Sequence, residues 1–144
     1  MNLFLYISYY FLILFSIIGF GYWFKYLFLS DDKNDLGFFG IYGTFSLIII
    51  SYFSNYFLPH DLIFNSILLI IGLVLFILFL KKNYTLEKKN IRFLLTIFII
   101  LSIATFSAKN HDDFPYYHFQ YIHLLTSSNL SIGIGQFNHG FRTP

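Results

Sequence analysis

The chain has 144 residues, of which 57% are hydrophobic, 24% aromatic and only 11% charged. A soluble domain carries about 25% charged residues, so this one lacks the polar groups to cover a globular surface, and its hydrophobicity excludes a disordered chain. No cysteine is present, which excludes disulfides, thiolate metal sites and a cysteine nucleophile, and a net charge of +2 is too small to point to nucleic acid.

Crossing about 30 Å of hydrocarbon takes roughly 20 helical residues. Four apolar segments are predicted to do so: 3–29, 36–57, 62–80 and 91–108. Lys25 and Arg92 are the charged residues within them, each near an end where a long side chain can snorkel to water. Tyr22, Trp23 and Tyr26 around Lys25 read as an interfacial belt. The first segment lacks the basic start, short apolar core and small-residue cleavage site of a signal peptide. The expected fold class is therefore all-α: a polytopic transmembrane bundle of four spans over residues 1–108. An extracytoplasmic segment with a short interfacial helix follows over residues 109–144.

Basic residues set the orientation. Lys25, Lys33, Lys81, Lys82, Lys88, Lys89 and Arg92 flank two connections and make up seven of the nine lysines and arginines. Those connections are expected to be cytoplasmic. The N-terminus, the turn at residues 58–61 and everything from Lys109 onward are then expected to lie outside the cytoplasmic (inner) membrane of a bacterium. All five histidines, His60, His111, His118, His123 and His139, fall on that outer side.

Small and hydroxylated residues mark the spans. The second carries Gly40, Thr44, Ser51 and Asn55 at helical spacing, with Gly37 and Gly43 close by, the third Asn65 and Gly72, the fourth Ser102 and Thr105. Such stripes let membrane helices approach closely. A transport path would want charges in the middle of the spans, and Lys25 and Arg92 both lie near an end.

From Lys109 the composition changes. Asp112 or Asp113 can cap a helix with Pro115 in its first turn, and a helix over 115–126 follows. Phe119, Ile122 and Leu125 form its apolar face, expected to lie on the outer leaflet or against the bundle. Beyond it, Gly133, Gly135 and Gly140 allow either a simple glycine turn or a nest of backbone N–H groups for an anion, with Arg142 offering a fork of donors to phosphate.

The Asp112–Asp113 pair admits two readings beyond capping. A carboxylate at the membrane surface can act as general base on an acceptor hydroxyl, or it can bind a divalent cation. A zinc site among the histidines is disfavoured. His118 and His123 are five residues apart, about 140° around a helix, where two helical ligands want a spacing of four. No metal ligands are assigned.

The stretch from Asp113 through Phe114, Pro115, Tyr116, Tyr117 and His118 to Gln120 is followed by Gly133-Ile134-Gly135 and Asn138-His139-Gly140-Phe141-Arg142. Together they resemble a family of bacterial multi-pass membrane proteins with an Asp-aromatic-x-x-Tyr-His stretch and a later Gly-x-Gly/Asn/Arg stretch. That family is similar in turn to C-type glycosyltransferases, polytopic enzymes that take sugars from polyprenyl-phosphate carriers. The resemblance covers roughly 30 residues. It implies Asp113 as catalytic base with Asp112 beside it, and Tyr117, His118, Asn138, His139 and Arg142 on the substrate. It also implies membrane lipid and a polyprenyl-phosphate sugar as partners, and a longer protein of which this chain is the N-terminal part. The alternative is a non-catalytic membrane subunit or transporter portion whose histidine-rich tail binds a partner. Neither reading specifies an oligomeric state.

The orientation has a direct check. The chain lacks cysteine, so Asn110→Cys introduces a unique thiol. It should react with a membrane-impermeant maleimide in intact cells. Labelling only after lysis would reverse the expected sidedness.

Overall fold

A computed structural model describes residues 3–29, 36–82, 88–107 and 114–130. Among these the chain is all-α, without a strand. Its helices are α1 (Leu3–Phe28), α2 (Leu36–Asn55), α3 (Leu62–Lys81), α4 (Lys88–Ser107) and α5 (Phe119–Ser127), the last preceded by a π-helical turn at Phe114–His118. Two compact units are present. One comprises Met1–Ile49 with Ile67–Ser107, the other Ile50–Ser66 with Ala108–Pro144.

Three helices among the described residues are long and apolar enough to cross a membrane, Phe4–Phe28, Leu36–Asn55 and Leu62–Lys81, and not the four expected. Among the described residues the fourth segment contributes a shorter apolar helical stretch, Arg92–Thr105. Lys88, Lys89 and Arg92 take up the first turns of α4.

In the first unit α1 is the helix on which the others pack. A Cβ on Gly21 would overlap the Phe39 carbonyl of α2, and one on Gly43 would overlap the Ile17 carbonyl of α1. On the α3 side a Cβ on Gly19 would strike the Gly72 carbonyl, and one on Gly72 would strike Ser16. These positions are glycine because main chain meets main chain there, the device membrane helices use when hydrophobicity no longer separates partner from solvent. Around them lies a core of Ile18, Phe20, Leu36, Phe39, Phe76 and Phe79. Phe15 stacks on Phe76 with centroids 4.8 Å apart, and Phe39 meets Phe79 edge-on at 5.4 Å.

The contacts give the helix directions. Gly21 meets Phe39 while Ile17 meets Gly43, so α2 runs antiparallel to α1. Ser16 meets Gly72 while Tyr22 meets Phe79, so α3 runs parallel to α1. Phe98 stacks on Phe11 at 4.0 Å, and the Tyr6 hydroxyl donates to Thr105 Oγ1 at 2.7 Å, so α4 runs antiparallel again. Most helix hydroxyls are satisfied by a carbonyl of the preceding turn, as from Ser46 to Tyr42 and from Thr105 to Leu101. That internal bonding is what an apolar solvent requires.

Two expectations about the spans are corrected. The stripe on the second segment is only in part its packing face. Gly40 looks into open space and Thr44 is exposed, whereas Asn55 is buried along with Leu36, Phe39, Gly43 and Ser46. Lys25 does not snorkel free of the bundle either. It is only 8% exposed, with its Nζ 5.7 Å from the centre of the Phe39 ring. The ring face attracts the ammonium, and Lys82 sits likewise over Tyr26 at 4.8 Å.

Gly21→Val should therefore destabilise the chain in detergent by about 1–3 kcal/mol through overpacking. Gly40→Ala should be neutral or stabilising by up to about 1 kcal/mol, since Ala is the better helix former and nothing stands in its way. Mixed-micelle unfolding of the two variants measures the contrast.

Candidate functional site at the α2–α3 turn

The second unit is organised by the turn between α2 and α3. Helix α2 ends as the Ser54 carbonyl accepts from the Phe57 and Leu58 amides, at 3.0 and 2.9 Å. Pro59 follows and cannot continue a helix. Asp61 then caps α3: its Oδ1 accepts the Phe64 amide at 2.8 Å, the geometry of a side-chain N-cap.

Between these two helix ends, His60 engages the groups on every side of it. Its amide donates to the Leu125 carbonyl of α5 at 2.7 Å. Its carbonyl accepts from Asn65 Nδ2 at 2.7 Å. Its ring lies parallel to that of Phe64, with centroids 4.7 Å apart. Its Nε2 is 2.9 Å from Ser54 Oγ, and that hydroxyl in turn donates to the Ser51 carbonyl at 3.3 Å. Whether Nε2 or the Ser54 hydroxyl donates between these two depends on the imidazole tautomer.

A second main-chain bond ties the tail to the turn. The Leu130 amide donates to the Asn55 carbonyl at 2.7 Å, satisfying a group that the end of α2 leaves open. Asn55 itself is 6% exposed, and its Nδ2 is buried without a hydrogen-bond partner.

The helix predicted over 115–126 is divided. Residues 114–118 form the wide π-turn and α5 proper begins at Phe119. Pro115 has no N–H to offer an α-helical ladder. The predicted apolar face is divided too. Leu125 is half-buried together with Leu124, whereas Phe119 and Ile122 are exposed. Phe119, Gln120, His123 and Leu124 line an open hollow of about 300 Å³.

Of the residues singled out by sequence, Asp112, Asp113, Asn138, His139 and Arg142 lie outside the described residues. Tyr117 falls within the π-turn. His118 closes that turn, exposed, with its ring 6.3 Å from that of Phe114. Among the described residues no group of three or more His, Asp or Glu side chains converges as metal ligands would. Sequence reasoning treated the 58–61 turn only as a topological marker and missed His60. The run Pro59-His60-Asp61 announces a turn and a cap, but the Leu125 carbonyl that accepts from the His60 amide is remote in sequence. Comparisons with protein-family models, curated proteins and solved structures find no match to this chain.

The His60 side chain generates one expectation here. His60→Ala should speed hydrogen exchange at the Leu130 amide by about tenfold, the equivalent of one lost hydrogen bond. His60→Gln, which can return a donor to Ser54, should restore most of the protection. Asp61→Ala should cost about 1 kcal/mol of stability through the lost cap.

Proposed function

We propose that this chain is a four-span integral membrane protein working in a glycosyltransferase that takes sugar from a polyprenyl-phosphate donor at the extracytoplasmic face. The observation that carries the reading is the pair of main-chain bonds from His60 to Leu125 and from Leu130 to Asn55. They hold the segment that follows the acidic pair against the ends of two membrane-length helices. A lipid-linked sugar phosphate would be met there, tail in hydrocarbon and phosphate in water. The alternation of α1 to α4 supports the fourth crossing. At 20 residues α4 equals α2 and α3 in length, and Arg92 can extend to water from its first turns.

In this reading Asp113 takes the proton of the acceptor hydroxyl as its oxygen attacks the anomeric carbon. The bond from that carbon to the phosphate oxygen breaks, and its electron pair leaves with the phosphate. Arg142, with His118 and His139, offsets the charge gathering there, which is the barrier to be lowered. Tyr117 and Asn138 orient the sugar. Asp112 neighbours the base, and the pair could alternatively hold a divalent cation against the phosphate. A second reading, a non-catalytic membrane subunit with a partner-binding tail, draws on the exposed imidazoles of His118 and His123.

Asp113→Asn should abolish sugar transfer, measured with a radiolabelled polyprenyl-phosphate sugar in membranes, while leaving the protein inserted. Full transfer by that variant would remove Asp113 from the mechanism. Absence of transfer from the unaltered protein in its native membrane would favour the subunit.

A further inference from the structure

We propose that the Phe119–Ile122 side of α5 is a lipid-contact surface, covered by the acyl chains of the surrounding membrane. Helical residues advance by about 100° each, so the nine residues of α5 divide into three sectors. Leu124 and Leu125 are half-buried within their own unit. Gln120, His123 and Ser127 form a polar strip, where the Ser127 hydroxyl donates to the His123 carbonyl at 2.7 Å. The third sector holds Phe119 and Ile122, which are 55% and 50% exposed, with Thr126 between them, its hydroxyl donating to the Ile122 carbonyl. It lies about 140° round the axis from the Leu124–Leu125 side. Packing on its own unit uses the Leu124–Leu125 part of the apolar arc and leaves the Phe119–Ile122 part uncovered.

Lipid fits the uncovered part because of what α5 is fastened to. The same unit contains the last residues of α2, the turn after it and the first residues of α3, where Tyr52, Phe53, Phe57, Leu62 and Ile63 are each more than half exposed. Those two helices are long and apolar enough to cross a membrane. The bond from His60 to Leu125 holds α5 to their connection. An apolar pair held there, with a polar strip beside it, matches the boundary between acyl chains and headgroups. The inference rests on the reading of α2 and α3 as membrane-spanning and requires none of the transfer chemistry.

The test places single tryptophans in the full chain, in phosphatidylcholine vesicles with and without bromine on the acyl chains. The natural Trp23 is first replaced by phenylalanine. F119W and I122W should lose most of their fluorescence to brominated lipid, and S127W should be quenched instead by aqueous iodide. I70W, midway along α3, reports insertion. Quenching of F119W and I122W by iodide but not by bromine, with I70W quenched by bromine, would overturn the inference and leave the span reading intact. Insensitivity of both to either quencher would mean that protein, such as a second copy, covers this side, and would also overturn it. If I70W escapes bromine, both the span reading and the inference fall. Sugar transfer is read separately, so the fate of the glycosyltransferase reading stays distinguishable.

Discussion

Close main-chain approach along α1 is the constraint from which the first unit follows. Gly21 and Gly43 admit the α2 backbone on one side, and Gly19 and Gly72 admit α3 on the other. Helices in hydrocarbon gain little by hiding apolar side chains from a solvent that is itself apolar. What remains is the fit of surfaces, and glycine sets how near two surfaces come. The aromatic cluster depends on that spacing. Phe15, Phe76, Phe39 and Phe79 stack at 4.8 to 6.0 Å only because the backbones between them are close. Such ring pairs contribute about 0.5–1.5 kcal/mol each beyond their buried area.

The second unit is held by different forces. Its fixed points are directional hydrogen bonds at helix ends, where carbonyls and amides have no partner within their own helix. Asn55 ends α2 and Asp61 begins α3, and between them His60 reaches Ser54, Asn65, Phe64 and Leu125. Two of the helix-end groups are claimed by the tail, so the connection and α5 form one body. A short amphipathic helix is marginal alone in water. Here α5 is stabilised by its bonds to the turn and by the half-burial of Leu124 and Leu125, which leaves Phe119 and Ile122 available for another environment. The wide π-turn before it places His118 at the entrance to α5. Turns of this kind recur at functional sites because they displace side chains from the regular helical register.

Much of this was legible in the residues by themselves. Low charge and long apolar runs dictated an all-α membrane-type chain, and the runs beginning at Leu3, Leu36 and Leu62 became helices within a few residues of their expected ends. Hydropathy is a sum over a segment, so it survives ignorance of partners. Asp61 before an apolar run is a cap that needs only its own helix to be understood. What escaped was whatever depends on direction around an axis. Gly40 and Thr44 have the spacing of a packing stripe and face outward, while Gly43 and Ser46, a few residues on, face in. Both sets are small and periodic, and only the position of α1 chooses between them. Leu125 and Phe119 belong to one apolar arc by periodicity, yet the turn claims the first and leaves the second exposed. The link from His60 to the tail was invisible for the same reason: a lone histidine in a four-residue turn carries no local mark of a partner 65 residues later, Leu125. Composition and periodicity determined which segments are helical and apolar; contact between segments decided which faces meet, because a face acquires meaning only when a second surface is brought against it.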